Sequence, residues 1–203
     1  MNEIKTERVY AGIDLDALRY NMESMHHNIK PDTMMTAVIK ADAYGHGALK
    51  VARAVEDLPY LWGFAVATAD EAKDLIDQGI KKPVLILGLS FPEHYETIVD
   101  YDLRPAVCTL EEAEKLSEIA EKKGKICHIH LKIDTGMSRI GLQVTEKNAD
   151  LGAEIAALPN IEIEGIFTHF AKADEYDKEP AKKQIRLFQK MILMLEDRNV
   201  KIK

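Results

Sequence analysis

The sequence predicts an α/β fold, a parallel (β/α)8 TIM-type barrel present only in part, and three observations lead there. Short apolar runs alternate with amphipathic helical patterns along the chain, the signature of βα units and a parallel sheet. No G-x-G-x-x-G follows the first strand, which weakens the case for a nucleotide-binding open sheet. The strand expected over Ile126–Asp134 places His128, His130, Lys132 and Asp134 on one face and Ile129, Leu131 and Ile133 on the other. In a barrel the apolar face meets the surrounding helices and the polar face looks inward.

The elements follow in order. Thr36–Lys40 is an apolar run with β-branched Val38 and Ile39, and a helical pattern near Ala48–Asp57 comes after it. Phe64–Ala67 is the second strand. Its helix opens on a capping box, Thr68 with Glu71, and ends at Gly79. Val84–Leu87 is the third, followed by Ser90-Phe91-Pro92-Glu93, a second capping box with proline at the first helical position. Arg104–Cys108 is the fourth, and Thr109 with Glu112 starts a helix that stops at Gly124. After the fifth strand comes a helix from about Glu146 to Leu158. The sixth strand spans Ile161–Phe170, and a long helix runs from about Pro180 to Arg198. Val200 and Ile202 read as the start of a seventh strand. The tally of about six units is about two short of a closed barrel, which takes eight units and about 250 residues. Open edges are therefore expected at the first and sixth strands, where they invite pairing with another chain.

Composition narrows the function classes. The 203 residues carry 27 Lys plus Arg against 34 Asp plus Glu, a net charge of −7, with the basic residues dispersed. That is no electrostatic footprint for nucleic acid. No stretch approaches the length of a membrane span, and Met1 to Tyr10 lacks the apolar core of a secretory leader. Reduced Cys108 and Cys127 in a cytoplasmic protein are the simplest reading. His26-His27 reads as a solvated helix face, and the Met and Leu residues of MILMLED (Met191 to Asp197) as core packing.

The most informative stretch is MMTAVIKADAYGHG, Met34 to Gly47. A strand ends in Lys40, and Gly45 and Gly47 let the chain turn before a helix begins. Loops after strand ends build the active sites of α/β proteins. A lysine there is either a nucleophile, its pKa lowered by apolar walls, or a rim lysine reaching for water.

VIKADAYGHG resembles the cofactor-attachment segment of alanine racemases, which use pyridoxal 5'-phosphate (PLP). HLKIDTGMSRIG (His130 to Gly141) and GIFTHFAKADE (Gly165 to Glu175) resemble two later blocks of that family, in the same order. VLILG and AGIDLDAL also fit, so the resemblance covers nearly the whole chain. It implies that residues 1–203 are the N-terminal part of a PLP-binding barrel domain, without the last strands and the β-rich C-terminal domain. Lys40 matches the Schiff-base lysine, one of two catalytic bases. Tyr44 matches a tyrosine on the cofactor phosphate, and Leu87 an apolar residue beside the pyridine ring. Arg139 matches an arginine that contacts the cofactor hydroxyl and the substrate carboxylate, a task suited to its planar fork of donors. Lys132 matches a lysine carbamylated in some members, and His169 a histidine beside the ring.

The bland readings stay open beside these: a packed turn aromatic for Tyr44, an ordinary strand leucine for Leu87, a surface arginine for Arg139, and a hydrogen-bonded strand-end histidine for His169. Asp42 has no assigned role. The implied activity is interconversion of L- and D-alanine, supplying D-alanine for peptidoglycan, in a cytoplasmic homodimer. The second base is then a tyrosine from the partner subunit's C-terminal domain, so this chain alone is expected to be inactive. No metal is expected. Alternatives are a racemase of another small amino acid such as serine, a non-catalytic PLP-binding barrel, a bare interaction module, and a metal-dependent hydrolase. The last would use His128, His130 and His169, but no carboxylate ligands are arranged with them at other strand ends.

Overall fold

The computed structural model describes residues 9–202. Seven parallel strands form one sheet: β1 (Met35–Val38), β2 (Leu61–Val66), β3 (Val84–Ile86), β4 (Arg104–Val107), β5 (Cys127–Asp134), the two-residue β6 (Leu142–Gln143) and β7 (Ile161–Phe167). The main path is β1-β2-β3-β4-β5-β7, with β6 a short addition at the end of β5. The helices α1 (Leu15–His27), α2 (Ala48–Val55), α3 (Ala69–Asp77), α4 (Tyr95–Asp100), α5 (Leu110–Lys123), α6 (Glu146–Ala156) and α7 (Glu179–Glu196) complete the units.

The sheet curls into an open arc of a barrel. β2 and β5 are three strands apart, about 14 Å in a flat sheet. Yet the rings of Trp62 and His130 lie 5.4 Å apart on the inner face. Two register shifts help to place inner side chains. Thr36 pairs with Gly63 directly after Met35 pairs with Leu61, which leaves Trp62 as the extra residue. His130 pairs with Gly165 after Ile129 pairs with Ile163, which leaves Glu164 as the extra one. Gly165 is required there, because a Cβ on it would come within 2.6 Å of the His130 ring.

β5 separates its faces as its alternation predicts. Ile129, Leu131 and Ile133 are fully buried against the helices, while His128 and His130 look inward and are only partly covered. The inner face holds a charge network rather than a metal cluster. Arg104 Nε donates to Glu164 Oε2 at 3.1 Å, and His130 Nε2 meets the same oxygen at 3.1 Å. Burial works to raise the Glu164 carboxyl, but the bonds from His130 and Arg104 outweigh it and bring it to about 2. His128 Nδ1 lies 2.9 Å from Asp102 Oδ1. Among the described residues no group of three or more His, Cys, Asp or Glu could hold a metal ion, and no helix is long and apolar enough to cross a membrane.

Two local expectations are corrected. Ser90 and Glu93 form no capping box: a 3-10 turn over Pro92–His94 has Phe91 at its N-cap position and no side-chain cap. Pro92 sets the first turn by its fixed φ instead. His26 is not on a solvated face, since its ring stacks on Tyr60 with centroids 3.9 Å apart. The MILMLED segment does pack, with Met191 and Leu195 fully buried on α7. Val200 is buried beside them, but Val200 and Ile202 are not in a strand. Both cysteines are free thiols, and burial pushes Cys127 up to about 12.

Candidate active site

Lys40 follows β1 by two residues. Ile39 N still donates to Ala65 O at 2.9 Å, so β2 holds the chain up to the residue before the lysine. The backbone then does something the sequence does not announce. Ala41, Asp42, Ala43 and Tyr44 all adopt left-handed helical angles, with φ between 50 and 56°. For L-residues this costs roughly 1–2 kcal/mol each, so the turn persists only because its surroundings fix it. Ala43 N donates to Ile39 O at 2.8 Å, and Gly47 N to Asp42 O at 2.9 Å. Asp42 Oδ1 accepts from Ala48 N at 2.7 Å, so the residue without an assigned role caps the amide that opens α2. Glu71, at the start of α3, supplies the remaining tie. Its Oε1 accepts from Ala41 N at 2.7 Å and its Oε2 from Ala67 N at 2.7 Å. The turn returns Tyr44 toward the lysine, with Lys40 Nζ 5.9 Å from the ring centroid.

The second half of the site is the end of β5. Lys132 is 3% exposed, donates from Nζ to Ile133 O at 2.9 Å, and lies 5.3 Å from the Phe167 ring centroid. Burial, joined by the positive charge of Arg139, lowers its ammonium pKa against the opposing pull of Asp134. Asp134 Oδ1 accepts from Gly136 N at 3.0 Å and Ser138 N at 2.9 Å, folding the loop that presents Arg139. Burial works to raise the Asp134 carboxyl, but these amides outweigh it and the net shift is downward. Gly141 closes the loop at φ 122°, and a Cβ there would meet Asp134 N at 2.8 Å.

His169, just past β7, is where the two halves meet. Its imidazole is held below the usual value first by lost hydration, then by the charges of Arg139, Lys132 and Lys40. Lys40, Lys132 and Arg139, which two separate sequence blocks contribute, thus lie near enough to His169, from a third, for their charges to act on it. Leu87 lies at the same end of the sheet, its amide donating to Val66 O at 2.8 Å.

The family model "Alanine racemase, N-terminal domain" matches residues 13–203. The chain belongs to the alanine racemase family. It is 42% identical over 195 residues to an alanine racemase from Clostridium tetani, covering 96% of this chain and 50% of that protein. Against an alanine racemase from Methanococcus maripaludis identity is 38%, with 96% and 52% covered. A solved alanine racemase from Clostridium difficile in complex with cycloserine superposes with a TM-score of 0.94 at 40% identity, covering 97% of this chain and 54% of that one. The chain therefore spans about half the length of the curated relatives it matches.

For an alanine racemase family member, the ties around the mouth matter as much as the residues in it. Gln184 on α7 is 4% exposed. Its Nε2 donates to Thr135 Oγ1 at 3.0 Å and to His169 O at 2.9 Å, while its Oε1 accepts from Ala171 N at 2.9 Å. It locks the loop after β5 to the loop after β7. A sequence signal for it existed: Gln184 stands in helical register with buried Met191 and Leu195, a polar residue on an apolar stripe. Glu71 could be read only as half of a capping box, and Asp42 not at all. The charges of Lys40, Lys132 and Arg139 all act on His169, a positive surrounding that suits an anionic aromatic group such as PLP.

Proposed function

We propose that this chain is the cofactor-carrying half of an enzyme that interconverts L- and D-alanine, with PLP attached to Lys40. The reading is supported by the standing of Lys40, Lys132, Arg139 and His169 at or just beyond the ends of β1, β5 and β7, where the charges of the first three act on the His169 imidazole. When bound, the cofactor's ring acts as an electron sink that makes the α-proton of the amino acid acidic. Lys40 both holds the cofactor and takes or returns a proton on one face of the α-carbon. Arg139, exposed on its loop, would orient the substrate carboxylate, and buried Lys132, if carbamylated as in some members of the family, would hold that guanidinium. Tyr44 would anchor the cofactor phosphate, and Leu87 and His169 would hold the ring between them and Lys40.

Racemisation needs a second base on the opposite face, and we assign that role to no residue of 9–202. In this reading residues 1–203 form the N-terminal part of the barrel domain. The second base comes from sequence that the relatives carry outside the matched half, presented by the second subunit of a homodimer. Two free thiols suit a reducing, cytoplasmic setting.

The test is attachment. The chain is incubated with PLP, reduced with borohydride, and digested to map the modified lysine. Label concentrated on Lys40, and lost in Lys40→Ala, is the expected result. Label spread over exposed lysines in both proteins would overturn the assignment of Lys40.

A further inference from the structure

We propose that Glu71 is the positioning residue for Lys40, its carboxylate holding the left-handed turn in the shape that fixes the lysine at the mouth. The inference rests on the reading of Lys40 as the cofactor-bearing residue. Three observations carry it.

The first is an orphaned donor. The turn satisfies its own Ala43 amide through Ile39 O, but the amide of Ala41 is the first of a helical turn and has no acceptor within it. Glu71 Oε1 takes that amide at 2.7 Å, one residue from Lys40. The second is the use of both carboxylate oxygens. Oε2 accepts from Ala67 N at 2.7 Å, so one side chain ties the residue after the lysine to the residue after β2. Only a carboxylate can do this. The amide of glutamine offers one acceptor and would aim its own N–H groups at the other donor. The third is that Glu71 is itself fixed. It occupies the third position of α3, and its amide donates to the Thr68 hydroxyl at 3.3 Å. The path from sheet to lysine runs through β2, the Thr68 cap, the Glu71 carboxylate and the Ala41 amide, with few free rotors along it.

Two readouts test this in the chain as it stands, with Glu71→Gln and Glu71→Ala as variants and Glu112→Gln as control. Amide hydrogen exchange, resolved by residue and without cofactor, reports the turn. Borohydride-trapped PLP on Lys40, as a function of PLP concentration, reports the lysine. Exchange at Ala41 is expected to rise at least tenfold in both variants while Leu131 in the core keeps its protection. General destabilisation would instead raise both together. The PLP concentration that half-labels Lys40 is expected to rise about tenfold in Glu71→Gln and further in Glu71→Ala. Glu112→Gln should match the wild type in both readouts. Unchanged exchange at Ala41, or faster exchange with unchanged labelling of Lys40, would overturn the proposal. Should the wild type show no specific label on Lys40, the cofactor reading fails by itself. Protection of Ala41 then decides the clamp, its loss in Glu71→Gln supporting it and its retention overturning it. If Glu71→Ala does not fold, Glu71→Gln carries both readouts.

Discussion

The starts of α3 and α5 are built from the same four-residue pattern and end as different devices. Thr68 and Thr109 each accept from the amide three residues on, both at 3.3 Å. Glu71 turns back to the Ala67 amide before its N-cap and across to Ala41, and the amides in the matching places, Cys108 and Ser90, pull on the carboxyl of Glu112. There the likeness stops. Glu71 is partly exposed and bonds through both oxygens. Glu112 is 6% exposed, and its Oε1 has no hydrogen-bond partner. Burial pushes its carboxyl up to about 7, against the pull of the Cys108 and Ser90 amides. Hydration separates the two. Glu71 keeps part of its exposure, whereas Glu112 is sealed from water and so tends to hold a proton.

The largest effect should come from breaking the clamp. Glu71→Ala removes two charge-assisted bonds and leaves four left-handed residues with one tie fewer, a loss of about 2–4 kcal/mol in denaturant unfolding. The matching change at the other junction, Glu112→Gln, should cost less than about 1 kcal/mol at pH 5, where a proton already neutralises Glu112. Equal losses at that pH would mean that the two junctions do not differ in kind.

The second effect is in pH dependence and has a definite sign. The folded-state pKa of Glu112, about 7, lies above its ordinary 4.5, so the native state holds a proton that the unfolded chain releases. Its contribution is fully present below 4.5 and is lost as pH rises through 7. The loss by pH 8 is on the order of 3 kcal/mol at most. Glu164 runs the other way. Its folded value of about 2 lies below 4.5, so its contribution is present above 4.5 and lost as pH falls toward 2. Unfolding curves from pH 3 to 8 should therefore fall on both sides. Glu112→Gln should flatten the alkaline side alone, and a variant whose curve parallels the wild type there would remove Glu112 as its cause.

Such contrasts explain what the sequence could and could not reveal. Strand and helix alternation made the βα units legible, and the two faces of β5 were readable because a period of two leaves no choice of which residues share a side. Lys40, Arg139 and His169 were singled out through their motifs, and all three stand just beyond the ends of parallel strands, on one side of the sheet. The left-handed run Ala41–Tyr44 was hidden, because alanine and tyrosine carry no signal for positive φ and tertiary contacts alone hold them there. The capping box of Ser90 and Glu93 was legible yet absent, because Pro92 starts the turn by its fixed φ and the chain enters it without a side-chain cap. The difference between Glu71 and Glu112 was hidden as well. Spacing fixes where a glutamate sits on its helix, whereas burial depends on what packs over it.

The smallest effect tests the part that the two junctions share. Thr68→Ala and Thr109→Ala each remove a hydroxyl that accepts from the third helical amide, at a typical cost of about 1 kcal/mol. Because the two caps have the same geometry, the two losses should agree closely in unfolding experiments. Their local consequences should not. Without its cap the first turn of α3 frays, Glu71 moves with it, and the Ala41 amide should exchange several-fold faster than in the wild type. The same fraying at α5 reaches Ser90, on the loop after β3, and should leave Ala41 untouched. A Thr109→Ala protein with faster exchange at Ala41 would show that the turn beside Lys40 is held by the general stability of the arc. Exchange that responds to Thr68 alone would show that the hold on the lysine is local and passes through one carboxylate.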